Sequence, residues 1–226
     1  PDYFSATGQL WNNPVYNWDA LRAQNYQWWI DRMAGLFNLY NIVRIDHFRG
    51  LLQYWEVPAG EETAINGSWE DVPTYEFFDK MIESFPNFPV VVEDLGIITP
   101  DVEECKDHYK FPGMLVLQFS FDEKDDNPYK PENHVENSVV YLGTHDNNTA
   151  RGWFEDEIDA ETKERVGQRV SNLEESQNAV AELVELTMNQ PNTRKLQNNG
   201  HQLLIHLFRI FTCVHRRQVV AMHALH

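Results

Sequence analysis

Two rhythms of apolar residues run along this chain. From Trp18 to about Tyr40, Leu21, Trp28, Trp29, Met33 and Leu36 recur at helical spacing, with Asn17 or Asp19 as candidate caps. Residues 74–85 and 100–108 repeat that pattern, the second after a Thr-Pro-Asp start signal. A longer amphipathic stretch, residues 159–188, predicts one helix or a helix pair. Between these lie short runs at 42–46, 89–93, 114–121 and 138–143 that are mostly apolar rather than strictly alternating. Continuous apolar runs mark strands covered on both faces, as in a parallel sheet with helical crossovers. The chain thus reads as α/β with four strands. Four strands cannot close an eight-stranded barrel, so the pattern implies part of a barrel or a smaller open sheet.

The polar stretches add detail. The opening, PDYFSATGQLWNNPVYNW, is punctuated by Pro, Gly and Asn and predicts an irregular loop. Residues 51–73, LLQYWEVPAGEETAINGSWEDVP, form a long connection rich in aromatics, and connections of that length in a compact domain usually carry function.

Composition then excludes several function classes. The formal net charge of −17 argues against nucleic acid and anionic membrane as partners, since both need clustered Lys and Arg. No run is long enough to span a membrane. Cys105 and Cys213 show no metal or redox spacing and read as reduced thiols. The first residue is Pro1, not Met, which reads as the interior of a longer protein. Charge also divides the chain. Residues 1–185 hold all 35 acids against 13 Lys and Arg, a balance of −22, whereas residues 186–226 hold no acid and five Lys or Arg. We therefore expect a seam near Met188, with residues 189–226 a basic tail. It reads as sequence foreign to the rest, or as a basic helix over 201–223.

Three of the apolar runs end on an acid: NIVRIDHFRG at Asp46, PVVVEDLG at Glu93 and VVYLGTHDN at Asp146. In a parallel barrel, residues at the C-terminal ends of different strands converge on one pocket. Three such acids suit attack at a sugar acetal. Arg44 shares a strand face with Asp46, and a neighbouring guanidinium favours the ionised carboxylate that a nucleophile needs. Glu93 closes an apolar wall, where a carboxyl tends to hold its proton and serve as a general acid. Asp46-His47 and His145-Asp146 invite a metal reading. No His-x-His and no Glu or Cys at ligand spacing accompanies them, so we expect no metal.

Taken in order and spacing, PDYFSATGQLWNNPVY, VRIDHFRGL, YWEVPAGEETAINGSW, VVVEDLG and LGTHDN resemble the amylomaltases, the 4-α-glucanotransferases of glycoside hydrolase family 77. The resemblance covers residues 1–188. It implies part of a TIM (β/α)8 barrel, about strands four to seven with their helices and substrate loops. It also implies retaining transfer of α-1,4-glucan segments between maltooligosaccharides, with no cofactor, in the cytoplasm, or in the plastid of a plant or alga. By the same resemblance Asp46 is the nucleophile, Glu93 the acid/base and Asp146 the third acid, which binds ring hydroxyls. Arg44 orients the nucleophile and His145 contacts the same sugar. Tyr3, Phe4, Gln9 and Trp11 belong to the substrate loop, and Trp55, Glu56 and Pro58, with the AGEETAINGSW loop of residues 59–69, to the adjoining wall.

Two departures are local. Where the family has Trp-Gly-Asn-Pro this chain has Trp11-Asn12-Asn13-Pro14, and Asn tolerates the left-handed conformation such a turn needs. Ser68 stands where the family often has Arg or Lys. The larger departure is the absence of the early barrel strands, from which we expect little or no transferase activity in this chain alone. The rival readings are an α-amylase-like hydrolase, a non-catalytic glucan-binding remnant and a gene fragment.

Overall fold

Asn17 starts the first helix, its side-chain oxygen accepting the Ala20 N–H at 2.9 Å. The computed structural model describes residues 5–171 and 176–189, in two units that meet in sequence at Phe111 and Pro112. In the first unit that helix, α1 (Trp18–Ala23), is followed by α2 (Gln27–Leu39). The single helix expected over 18–40 is broken because Asn25 and Tyr26 take left-handed backbone, with φ of 50° and 57°. The break turns Tyr26 inward. Its ring is buried, and its hydroxyl donates to Glu76 at 2.9 Å.

Next come β1 (Val43–Ile45), the antiparallel pair β2 (Gln53–Glu56) and β3 (Ser68–Asp71), α3 (Thr74–Ser84), β4 (Val90–Val92) and α4 (Pro100–Tyr109). Strands β1 and β4 are parallel, with Ile45 opposite Val92, and α3 lies between them in sequence. Val90, Val91 and Val92 are all buried, as expected of a strand covered on both faces. The core joins these strands to Phe77, Phe78 and Met81 of α3 and to Trp18, Trp29 and Met33. Each aromatic buries on the order of 150–250 Å², so α3 and the two N-terminal helices dominate this core. Cys105 on α4 is a buried free thiol.

The second unit holds β5 (Gly113–Val116) and β6 (Ser138–Tyr141), again parallel, with Val116 opposite Tyr141. The strand expected over 114–121 stops at Val116 and becomes a 3-10 turn, Leu117–Ser120. Gln118 N–H still reaches the Leu142 carbonyl at 3.1 Å, but the turn sends Leu117 and Phe121 into a second core. That core is completed by Leu142, Trp153, Phe154, Val166 and Leu183. Its helices are α5 (Ala150–Gly152), continued by a π turn to Glu157, then α6 (Ala160–Gly167) and α7 (Ser176–Met188). Asp159 caps α6 by accepting the Thr162 N–H at 2.8 Å, so the predicted stretch over 159–188 is a pair of helices. Among the described residues no helix is long and apolar enough to cross a membrane. Tyr3, Phe4, Cys213 and the basic tail from residue 190 onward, including the helix expected over 201–223, lie outside the described residues.

Candidate active site

The parallel register of β1 and β4 places Asp46 and Glu93 one residue beyond the pair Ile45–Val92, side by side at the C-terminal strand ends. The ladder continues through them: Glu93 N–H donates to the Ile45 carbonyl at 2.8 Å and Phe48 N–H to the Glu93 carbonyl at 3.0 Å. Adjacent strands lie about 4.8 Å apart, so the backbone alone fixes the two acids as close neighbours.

Each acid has a distinct environment. Arg44 Nη2 donates to Asp46 Oδ1 at 2.8 Å, and both side chains are largely buried, at 9% and 12% exposed. Glu93 accepts two backbone N–H groups, from His47 at 2.7 Å and from Leu95 at 2.9 Å. His47 can aim its N–H because it takes left-handed backbone, φ 48°. Burial nevertheless raises the Glu93 carboxyl above its ordinary range; the neighbouring Asp46 charge adds to the rise, while the two N–H donors and Arg44 oppose it. The pair therefore differs in kind. One carboxylate is held by a buried guanidinium, and the other is driven toward its protonated form.

A cavity of about 710 Å³ opens beside Asp46. Gln9 and Trp11 from the opening segment, Trp55 from β2 and Trp69 from β3 share its wall with Asp46. The opening segment is tied to the long connection by the Ala64 N–H, which donates to the Thr7 carbonyl at 3.1 Å. Asn12 has φ 55°, the left-handed conformation expected of it. The Trp55 indole N–H donates to the Ala64 carbonyl at 2.8 Å, which fixes that ring as part of the wall. Glu56 lies next along β2 and accepts the Tyr54 hydroxyl at 3.3 Å. Burial and the Glu56 carboxylate push Tyr54 up to about 12, so it remains a neutral donor. Ser68 donates to Glu70 at 2.8 Å.

In the second unit, Asp146 lies on a tight turn after β6. Thr144 N–H donates to Asn147 Oδ1 at 2.8 Å, and Asp146 N–H reaches the Thr144 hydroxyl at 3.3 Å. His145 Nε2 is 3.1 Å from Asp146 Oδ1, and the Asp146 side chain is 77% exposed. Gly143 packs against the Gln118 carboxamide, since a Cβ there would lie 2.5 Å from Gln118 Oε1 and the side chain would have to shift. The Gln118 carboxamide itself is buried with neither atom hydrogen-bonded.

Arg44, Asp46, Glu93, Gln9, Trp11 and Trp55 are thus gathered in the first unit, and His145 and Asp146 are paired in the second. Sequence reasoning assigned no role to Arg49 or Tyr54, and reached Trp69 only as part of the loop of residues 59–69. Their signal was the density of aromatic and basic residues flanking the Asp46 and Glu56 motifs. Among the described residues no group of three or more His, Cys, Asp or Glu is placed to hold a metal ion.

Comparison with known proteins bears on this geometry. A family model for 4-alpha-glucanotransferase matches residues 1–202. A 4-alpha-glucanotransferase from Synechocystis is 54% identical over 158 residues, covering 69% of this chain and 31% of that protein. A chloroplastic/amyloplastic 4-alpha-glucanotransferase from Solanum tuberosum is 44% identical over 177 residues, covering 78% of this chain and 31% of its own length. Among solved structures, the amylomaltase from Streptococcus agalactiae in complex with acarbose superposes with a TM-score of 0.72 at 36% identity, covering 80% of this chain and 37% of that one. The chain spans about a third of the length of these relatives. With a family model matched from residue 1 to residue 202, the chain belongs to the 4-alpha-glucanotransferase family, glycoside hydrolase family 77.

Proposed function

We propose that the chain carries strands four to seven of a (β/α)8 barrel, here β1, β4, β5 and β6, and with them the catalytic acids of a retaining 4-α-glucanotransferase. The observation that carries this reading is the register of β1 and β4. Retaining enzymes hold their two carboxyl groups about 5–5.5 Å apart, close to the spacing of neighbouring strands.

The division of labour follows from the two environments. Asp46, paired with Arg44, is the nucleophile and attacks the anomeric carbon. The glycosidic C–O bond breaks as Glu93 gives its proton to the leaving oxygen, yielding a covalent β-glucosyl ester. Glu93, now ionised and held by the His47 and Leu95 N–H groups, takes the proton from a 4-hydroxyl of the acceptor. That oxygen attacks the anomeric carbon and releases Asp46. A raised carboxyl pKa favours the first proton transfer, and the two donors stabilise the ionised state needed for the second. Asp146 is assigned by its motif as the third acid, binding ring hydroxyls, with His145 beside it.

The ligand class is α-1,4-glucan. Gln9, Trp11 and Trp55 line the cavity beside Asp46, and aromatic faces that cover a bound glucan chain favour a sugar hydroxyl over water at the intermediate. Tyr3, Phe4 and Glu56 are assigned to the same substrate wall by motif. The compartment is the cytoplasm in a bacterium or the plastid in a plant or alga.

Maltotriose disproportionation tests the assignment. Asp46→Ala and Glu93→Gln are each expected to lower whatever transfer rate the full chain shows, by about 10²–10⁴. Equal rates in wild type and both variants would sink the assignment of these acids. Glucose release without longer oligosaccharides would point to a hydrolase instead.

A further inference from the structure

Trp69 ends the loop of residues 59–69 that the family resemblance places in the substrate wall, and no role of its own is assigned to it there. It lies on β3, whose residues are all exposed, and its own side chain is 52% exposed. Leaving an indole this open forgoes much of the burial that stabilises aromatic residues elsewhere in the first unit. Yet the ring is not loose. It faces Trp55 across the β2–β3 register, with ring centroids 5.5 Å apart at an interplanar angle of 72°. The Arg49 guanidinium lies over it at 5.1 Å from the centroid. Arg49 is in turn anchored, Nη1 donating to the Ile97 carbonyl at 2.6 Å in the loop that follows Glu93.

Such an arrangement pre-positions two kinds of recognition. An indole held by its neighbours presents rigid apolar surface at little cost in conformational entropy. A guanidinium carries five N–H donors in a fixed fork, and among the described residues one hydrogen bond, to Ile97, is made from it. A pyranose offers the complement: an apolar C–H face and equatorial hydroxyls. Trp69, Arg49 and Asp46 all line the same cavity of about 710 Å³, which is large for one sugar ring.

We propose that Trp69 and Arg49 form a binding subsite for one glucose unit of the glucan chain, the indole taking its apolar face and the guanidinium its hydroxyls. This rests on the α-glucan reading above. Arg49 is the strut: without it the indole keeps its position through Trp55 but loses one of its two supports.

The test uses the full chain labelled with ¹⁵N-tryptophan and titrated with maltoheptaose, followed by indole N–H resonances. The Trp69 resonance, identified by its loss in Trp69→Phe, is expected to shift with the saturation curve of binding. Trp69→Ala is expected to weaken binding by about tenfold. Arg49→Met is expected to weaken it by a smaller factor, and Trp69→Phe to retain most of the affinity. If other indoles shift in wild type while Trp69 stays still, or if Trp69→Ala binds as tightly as wild type, the subsite is overturned and the glucan reading stands. If wild type shows no saturable response at all, the glucan reading fails and takes the subsite with it.

Discussion

Burial withdraws solvent from the Glu93 carboxylate, while the His47 and Leu95 N–H groups donate to it, and burial is the stronger influence. The folded chain therefore holds the Glu93 proton more tightly than the unfolded chain does. Stability from this group is complete below the ordinary carboxyl range and is lost as pH rises through the raised folded value. Glu93→Gln cannot ionise and escapes that loss, although its amide replaces one acceptor with a donor and forfeits a hydrogen bond. We expect the stability difference between the two proteins to move in favour of the variant as pH rises from the ordinary carboxyl range through the raised folded value. Urea denaturation at several pH values measures it, and a difference constant across the range would contradict the environment described for Glu93.

The β2–β3 hairpin depends on a residue without a side chain. A Cβ on Gly67 would lie 2.3 Å from Trp55 Nε1 and 2.6 Å from the Glu56 carbonyl oxygen. Gly67→Ala should displace the Trp55 indole from the Ala64 carbonyl and cost about 1–3 kcal/mol, as overpacking does. In a Trp55→Ala background the ring is gone and the cost should fall, leaving the part due to the Glu56 backbone. The same cost in both backgrounds would show that the ring does not set it. This hairpin was also what the sequence pattern left unread. Its strands, QYWE and SWED, are half to fully exposed and show no inside–outside alternation. Their connection over residues 57–67 also lacks the two-residue turn that marks a hairpin. The buried strands were legible for the opposite reason, since runs such as Val90–Val92 have no polar position to obscure them. Their ends were less legible: in 114–121 the polar residues Gln118 and Ser120 fall inside the turn Leu117–Ser120, but two polar positions between apolar ones fit a half-covered strand as well as a turn. The acids were legible because each interrupts an apolar run, whereas Arg49 and Trp69 gain their meaning from contacts across the hairpin and the loop after Glu93.

At the scale of the whole chain, two clusters of buried apolar residues stand out among the described residues. One is drawn from residues up to Phe111, the other from Leu117 to Leu183. Cooperative units often coincide with separately built clusters of buried residues, and each of these clusters is drawn from a single unit. The first also holds the larger set of buried aromatics, including Trp18, Tyr26, Trp29, Phe48, Phe77 and Phe78. Tryptophan distribution makes the distinction measurable. Six of the seven Trp lie at or before Trp69, and Trp153 alone belongs to the second unit. In a Trp153→Phe background, tryptophan fluorescence reports the first unit only, while far-UV circular dichroism follows the helices of both. We expect the dichroism change to begin at lower urea than the fluorescence change, with the second unit melting first. Coincident transitions would show the two cores to be one cooperative structure.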